Sequence, residues 1–284
     1  MKLIIKRIIA ILMSVLAIIS MFATSIVANA SSPKPALSGI SATYDKSIYN
    51  DKNLVITVNL SSVSLCDQIA ITIGNVKKYI KPTTKTKPIR QTAKVTFSAY
   101  TFEPGKYTVS VTAKNSSGST TKKIGTLTVS NTYAISNKVL TVKGVKMSEF
   151  KIGGKYTSSR YVTINGKKKD MAAWECYGWS RYLETKLYGT NSGIASSKFT
   201  KLSGSKNDNP SNAKLKTLIQ TAGVGAHIRT ASGHSLTVIG ISNAGFTISD
   251  ANADYNNTIR TKSYTWSSFR KASGKLSFIE IYKG

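Results

Sequence analysis

Gly233-His234-Ser235-Leu236-Thr237-Val238-Ile239-Gly240 is an apolar, strand-forming run with a histidine at its head. Phe246-Thr247-Ile248-Ser249-Asp250 follows after a short turn bearing Ser, Asn and Gly, so the two runs read as a hairpin. Asp250 closes the second run sixteen residues after His234. Antiparallel pairing brings that carboxylate at one strand's end beside an imidazole at the other strand's start. Ala226 to Thr230 before the pair, and Ile259 to Thr265 and Leu276 to Tyr282 after it, extend the reading to a five-strand antiparallel meander.

Upstream of the sheet, Ala172 to Tyr188 reads as a helix that Asp170 caps and Gly189 ends. Cys176 and Trp179 lie with Tyr182, Leu183 and Leu187 on neighbouring faces of it. A polar loop runs through Pro210, and Ser211 caps a second helix carrying Leu215, Leu218 and Ile219. Helix before sheet is an α+β layout. Cys176 near a helix N-terminus meets backbone N–H groups and the positive end of the dipole, which lower a thiol's pKa. Cys176, His234 and Asp250 therefore supply, in order, a nucleophile, a base and a group to orient the base. Asn252, two residues past Asp250, is an alternative third member or a substrate contact. Trp174, Tyr177, Trp179 and His227 are candidate lining of a substrate cleft. Two His, one Cys and an Asp without a close-spaced ligand pair point to no metal and no cofactor.

Residues 31–131 carry no Trp and no His, and they alternate in the manner of strands. The clearest cases are Leu54 to Leu60, Ile69 to Ile73, Tyr107 to Thr112 and Leu127 to Val129, and Ile40 to Tyr44, Val76 to Ile80 and Val95 to Ser98 complete about seven. That count is the one expected of an immunoglobulin-like sandwich. Phe102-Glu103-Pro104-Gly105-Lys106-Tyr107-Thr108 resembles the turn and strand near the end of bacterial Ig-like and fibronectin-like modules. Composition then shifts. All three Trp, both His and eight of the 12 acidic residues lie beyond residue 132, so 132–146 reads as a linker and 147–284 as a second domain.

Trp174-Glu175-Cys176-Tyr177-Gly178-Trp179-Ser180-Arg181-Tyr182, then Gly233-His234-Ser235, then Ile248-Ser249-Asp250-Ala251-Asn252 resemble the Cys, His and Asn/Asp blocks of the papain-like superfamily, including its small bacterial NlpC/P60 and CHAP amidases. The resemblance implies an all-β Ig-like sandwich followed by an α+β papain-like domain, and a Cys176–His234–Asp250 site. It implies a cysteine peptidase or amidase that attacks cell-wall peptide or another extracellular amide. A transglutaminase-like acyl transferase uses the same three roles.

Residues 1–30 read as a signal peptide: Lys2, Lys6 and Arg7 precede an apolar stretch, and Ala28-Asn29-Ala30 forms a small-residue cleavage site. An uncleaved membrane anchor is the competing reading. Cleavage lowers 40 basic residues to 37 against 12 acidic ones, a net charge of +25. Such a surface seeks anionic polymer, and after export this means wall polymer, peptidoglycan or an anionic membrane surface. Only seven of the 40 basic residues are Arg, which argues against specific nucleic-acid recognition. A secreted, wall-associated monomer is the expectation. A non-catalytic surface-binding protein and a basic secreted ribonuclease are the alternatives. Cys66 and Cys176 are the only cysteines, and a bridge between them would silence the proposed chemistry.

Overall fold

The computed structural model of the protein describes residues 33–64, 66–83, 89–156, 161–164, 167–170, 175–203, 208–273 and 275–284. The expected signal segment lies outside them. No helix among the described residues is long and apolar enough to cross a membrane.

The alternating runs of the N-terminal half become β1 (Ala36–Thr43), β2 (Ser47–Tyr49), β3 (Leu54–Ser64), β4 (Gln68–Ile73), β5 (Val76–Ile80), β6 (Ile89–Phe97), β7 (Gly105–Asn115) and β8 (Gly118–Ser130). They form two sheets, ordered β1-β3-β6 and β2-β8-β7-β4-β5. Period-two patterning puts Leu54, Ile56, Val58 and Leu60 of β3 on one face. There they share an apolar core with Ile69, Ile71 and Ile73 of β4 and Val109 and Val111 of β7, and Cys66 is buried among them.

Within the stretch assigned as a linker, β9 (Tyr133–Ser136), β10 (Val139–Val142) and β11 (Val145–Lys146) pair as a small antiparallel sheet. Leu140, Val142 and Met147 belong to the core of the C-terminal half. Next come β12 (Tyr161–Ile164), β13 (Lys167–Asp170), α1 (Glu175–Tyr188), β14 (Phe199–Ser203) and α2 (Asn212–Ala222). The chain ends with β15 (His227–Thr230), β16 (Ser235–Ile241), β17 (Gly245–Asp250), β18 (Arg260–Thr265), α3 (Trp266–Ser273) and β19 (Leu276–Tyr282). Ser211 caps α2 by accepting a hydrogen bond from the Lys214 N–H, and Gly223 stops the helix at φ +76°.

The anticipated Ig-like sandwich followed by a papain-like α+β domain does not stand. The described chain is 50% strand and 16% helix, with three α-helices and several sheets. Strands dominate the C-terminal half too, where one sheet has six strands in the order β14-β19-β15-β16-β17-β18. It is not a meander: the last strand inserts between β14 and β15, pairing Ile279 with Ile228 on one side and Thr200 with Ile281 on the other. Phe199 to Ser203 is short and set in a polar stretch, so its strand character comes from a partner at the far end of the chain and not from its own pattern.

Every residue of β16 is buried. Such a strand reads as a continuous apolar run because both its faces are covered. Its pairing with β17 shifts register between Val238 and Gly240. Side chains from the preceding half take up carbonyls here: Thr132 Oγ1 donates to Ile239 O at 2.7 Å and Asn50 Nδ2 donates to Ile241 O at 2.6 Å. Gly240 permits the close approach, since a Cβ there would fall 2.7 Å from the Tyr133 ring. Asn50→Ala leaves a buried carbonyl without this donor. The expected cost is about 1–3 kcal/mol, read as a lower urea midpoint at unchanged m-value.

Candidate active site

Three aromatic side chains set where α1 lies. Trp179 stacks on Tyr182 with ring centroids 5.2 Å apart, and Phe150 meets both edge-on at 5.8 and 5.0 Å. Trp179 Nε1 donates to Ser249 Oγ at 2.9 Å, which ties the helix to β17 one residue before Asp250. Cys176, the second residue of α1, shares the sheet-facing side with Trp179 and Leu183, as the i, i+3, i+7 spacing requires. Cys66 and Cys176 are both free thiols, so the bridge considered above is not formed.

His234 sits in the tight turn between β15 and β16. Its backbone N–H donates to Thr230 Oγ1 at 3.0 Å and its carbonyl accepts from the Thr230 N–H at 2.9 Å. Asp250 ends β17 wholly buried, while the His234 side chain keeps 26% of its surface open. His234 Nε2 lies 2.8 Å from Asp250 Oδ2. That contact leaves Nδ1 as the ring nitrogen available to the Cys176 thiol, whose interaction with the imidazole raises His234 and lowers the thiol. Cys176, His234 and Asp250 thus meet as one connected set.

Arg260, a residue not singled out in the sequence, completes it. Asp250 and Arg260 are register partners on β17 and β18. The guanidinium donates from Nε to Oδ1 at 2.7 Å and from Nη2 to Oδ2 at 3.0 Å. Such a fork holds a buried carboxylate in a fixed orientation. Strand alternation could not identify this partner, because it depends on the length of the β17–β18 connection.

The electrostatics favour an ion pair. Burial pushes the Cys176 thiol up, but hydrogen bonds from His234 and the Ser235 backbone, with the charges of His234 and Arg229, bring it below its ordinary value. Burial pushes His234 down, but its bonds to Asp250 and Cys176 prevail and raise it to about 9. Both shifts run in the direction that favours thiolate beside imidazolium over thiol beside neutral imidazole. Cys66 has only burial and the Asp67 charge acting on it, and both raise its thiol.

Other expected site residues fall elsewhere. Asn252 adopts φ +63° in a turn, and its Oδ1 accepts from the Asn257 N–H at 3.0 Å, so it organises the 252–257 loop. Trp179 is a core side chain and His227 is fully buried, which corrects their assignment to a cleft wall. Both were misplaced for one reason: an aromatic or imidazole ring packs as readily under a sheet as along a cleft. Tyr177 is half-buried, with its ring 5.2 Å from His227 and the Arg181 and Arg229 guanidinia 4.3 and 5.2 Å from its centroid. Trp174 lies outside the described residues.

Comparison with known protein families, curated proteins and solved structures finds no match to this chain. At neutral pH, iodoacetamide is expected to modify Cys176 roughly tenfold or more faster than Cys66, as mass spectrometry of the two cysteine peptides will read.

Proposed function

We propose that this chain is an exported cysteine-type hydrolase, a peptidase or amidase, that works by acyl transfer through Cys176, His234 and Asp250. The observation that carries the reading is the hydrogen-bonded chain from His234 to a buried, Arg260-clamped Asp250, with the Cys176 thiol lowered by its interaction with that same imidazole.

The Cys176 thiolate adds to an amide carbonyl, and negative charge develops on its oxygen. Backbone N–H groups near the N-terminal end of a helix are donors suited to that oxyanion. The tetrahedral intermediate collapses as His234 passes its proton to the departing amine nitrogen, which leaves a thioester on Cys176. Neutral His234 then takes a proton from water, whose oxygen attacks the thioester. Collapse releases the carboxylic acid and regenerates thiolate and imidazolium. Asp250 holds the ring in position and stabilises its charged form throughout.

Cell-wall peptide is the substrate class that export and a mature charge of +25 favour, since lysine-rich surface is attracted to anionic wall polymer. The same charge suits an anionic membrane surface. Burial of His227 lends nothing to the two-histidine ribonuclease alternative. An inactive wall-binding protein would have no need of a lowered thiol beside a raised imidazole.

Mature protein incubated with purified cell wall is expected to release new amino and carboxyl termini, and Cys176→Ala to release none. An unchanged wall with both proteins overturns the peptidoglycan assignment. Equal release by both overturns the cysteine mechanism. The pH profile of kcat/KM should be bell-shaped. Its acid limb reports the thiol, below the ordinary cysteine range, and its alkaline limb falls near 9 as His234 loses its proton. Asp250→Asn removes a charge that supports the imidazolium. It should move the alkaline limb to lower pH and cost roughly 10²–10⁴-fold in kcat/KM.

A further inference from the structure

Behind Tyr177, on the sheet side of α1, a second group of ionisable side chains takes no part in the acyl-transfer path. Glu184 comes from α1, His227 from β15 and Glu280 from β19. His227 and Glu280 are register partners on adjacent strands, so they share one face of the sheet. His227 Nδ1 lies 3.4 Å from Glu184 Oε1 and 4.0 Å from Glu280 Oε1, and the three atoms all fall within 4.8 Å of one another. The side chains of His227 and Glu184 are 0% and 1% exposed, and that of Glu280 is 12% exposed.

Each of these three atoms is shielded from solvent and has no hydrogen-bond partner among the described residues. The opposite ends of two of the side chains are well held. Glu184 Oε2 accepts from the Ser192 backbone N–H at 2.9 Å and from Ser192 Oγ at 3.1 Å, so its other oxygen is turned toward His227. His227 Nε2 sits 2.9 Å from Ser235 Oγ, which accepts from Arg229 Nη1 at 2.8 Å. With Nε2–H donating to Ser235, Nδ1 presents a lone pair to the two carboxylates. Orientation of a ligating imidazole through its far nitrogen is how proteins prepare a metal ligand.

Buried carboxylates are costly unless matched by positive charge. Lys201 faces Glu280 in the β14–β19 register, yet its Nζ lies 4.5 Å over the Phe278 ring and makes no ion pair with Glu280. A proton on His227 offsets one of the two carboxylates. A divalent cation offsets both.

The geometry points to Glu184 Oε1, His227 Nδ1 and Glu280 Oε1 as ligands of a bound zinc ion. Zinc takes imidazole and carboxylate ligands at about 2.0–2.1 Å, for which a tetrahedron has edges of roughly 3.3 Å. The His227–Glu184 separation of 3.4 Å already matches, and Glu280 closes the rest by a small side-chain movement. Such an ion joins α1, which carries Cys176, to two central strands of the sheet whose next strand is headed by His234. Its role is to lock the nucleophile's helix against the base. The site uses no atom of the acyl-transfer path and stands whether or not the chain hydrolyses amides.

Zinc chloride is titrated into full-length mature protein carrying Cys176→Ala, which removes the thiol as a competing ligand. Calorimetry is expected to show one equivalent bound. A zinc excess of about 100-fold over Kd should raise Tm by roughly 5 °C. Glu184→Gln and Glu280→Gln on this background should each weaken binding at least tenfold. If near-UV circular dichroism shows Glu184→Gln misfolded, the less buried Glu280→Gln decides. No binding by the Cys176→Ala protein overturns the site, as does zinc affinity that a folded Glu280→Gln protein leaves unchanged.

Discussion

A buried negative charge organises the centre of this molecule. Asp250 is wholly inside the protein, and a carboxylate there is tolerated only when every oxygen is paired. Arg260 supplies two donors across the β17–β18 ladder and His234 a third from the head of β16. The arrangement constrains three strands at once. It also holds His234 above its ordinary pKa, which in turn helps bring the Cys176 thiol below its own.

That chain of consequences works only if the helix that carries Cys176 cannot drift. Its position is set by packing: Trp179, Tyr182, Phe150 and Tyr156 form an aromatic cluster under α1, and the Trp179–Ser249 bond ties the helix to the strand that ends in Asp250. The central strand β16 is steadied from its other side. Thr132 and Asn50 reach its carbonyls where the ladder to β17 is irregular. The N-terminal sheets therefore contribute to the shape of the strand that begins just after His234.

Charge is divided between inside and outside. Asp250 and Glu184 are buried within the C-terminal half, so the few acidic residues do less to balance the lysines than a simple count suggests. The exterior is more cationic than the net charge of the chain alone conveys. A polyanionic surface would hold such a protein close, by an attraction that salt screens.

Much of the local structure was legible in the residues. β19 is bounded as its apolar run predicts, β16 lies over most of the run quoted for it, and Ser211 caps α2 at the expected place. Short-range signals of this kind are written in consecutive side chains. The fold class was not legible. β14 has no strong pattern and exists because β19 pairs with it, and the insertion of β19 beside β15 leaves no trace in periodicity. Arg260 and the Glu184–His227–Glu280 group were invisible for the same reason: their members stand far apart in the chain or depend on a register that turn length sets. The amino-acid order by itself determined most of the strand segments, where α2 begins, and that a cysteine, a histidine and an aspartate occur in a usable order. Only the tertiary structure decided which of them touch, which rings are core, and which charges are buried together, because strand register and helix docking are settled by long-range burial and charge pairing.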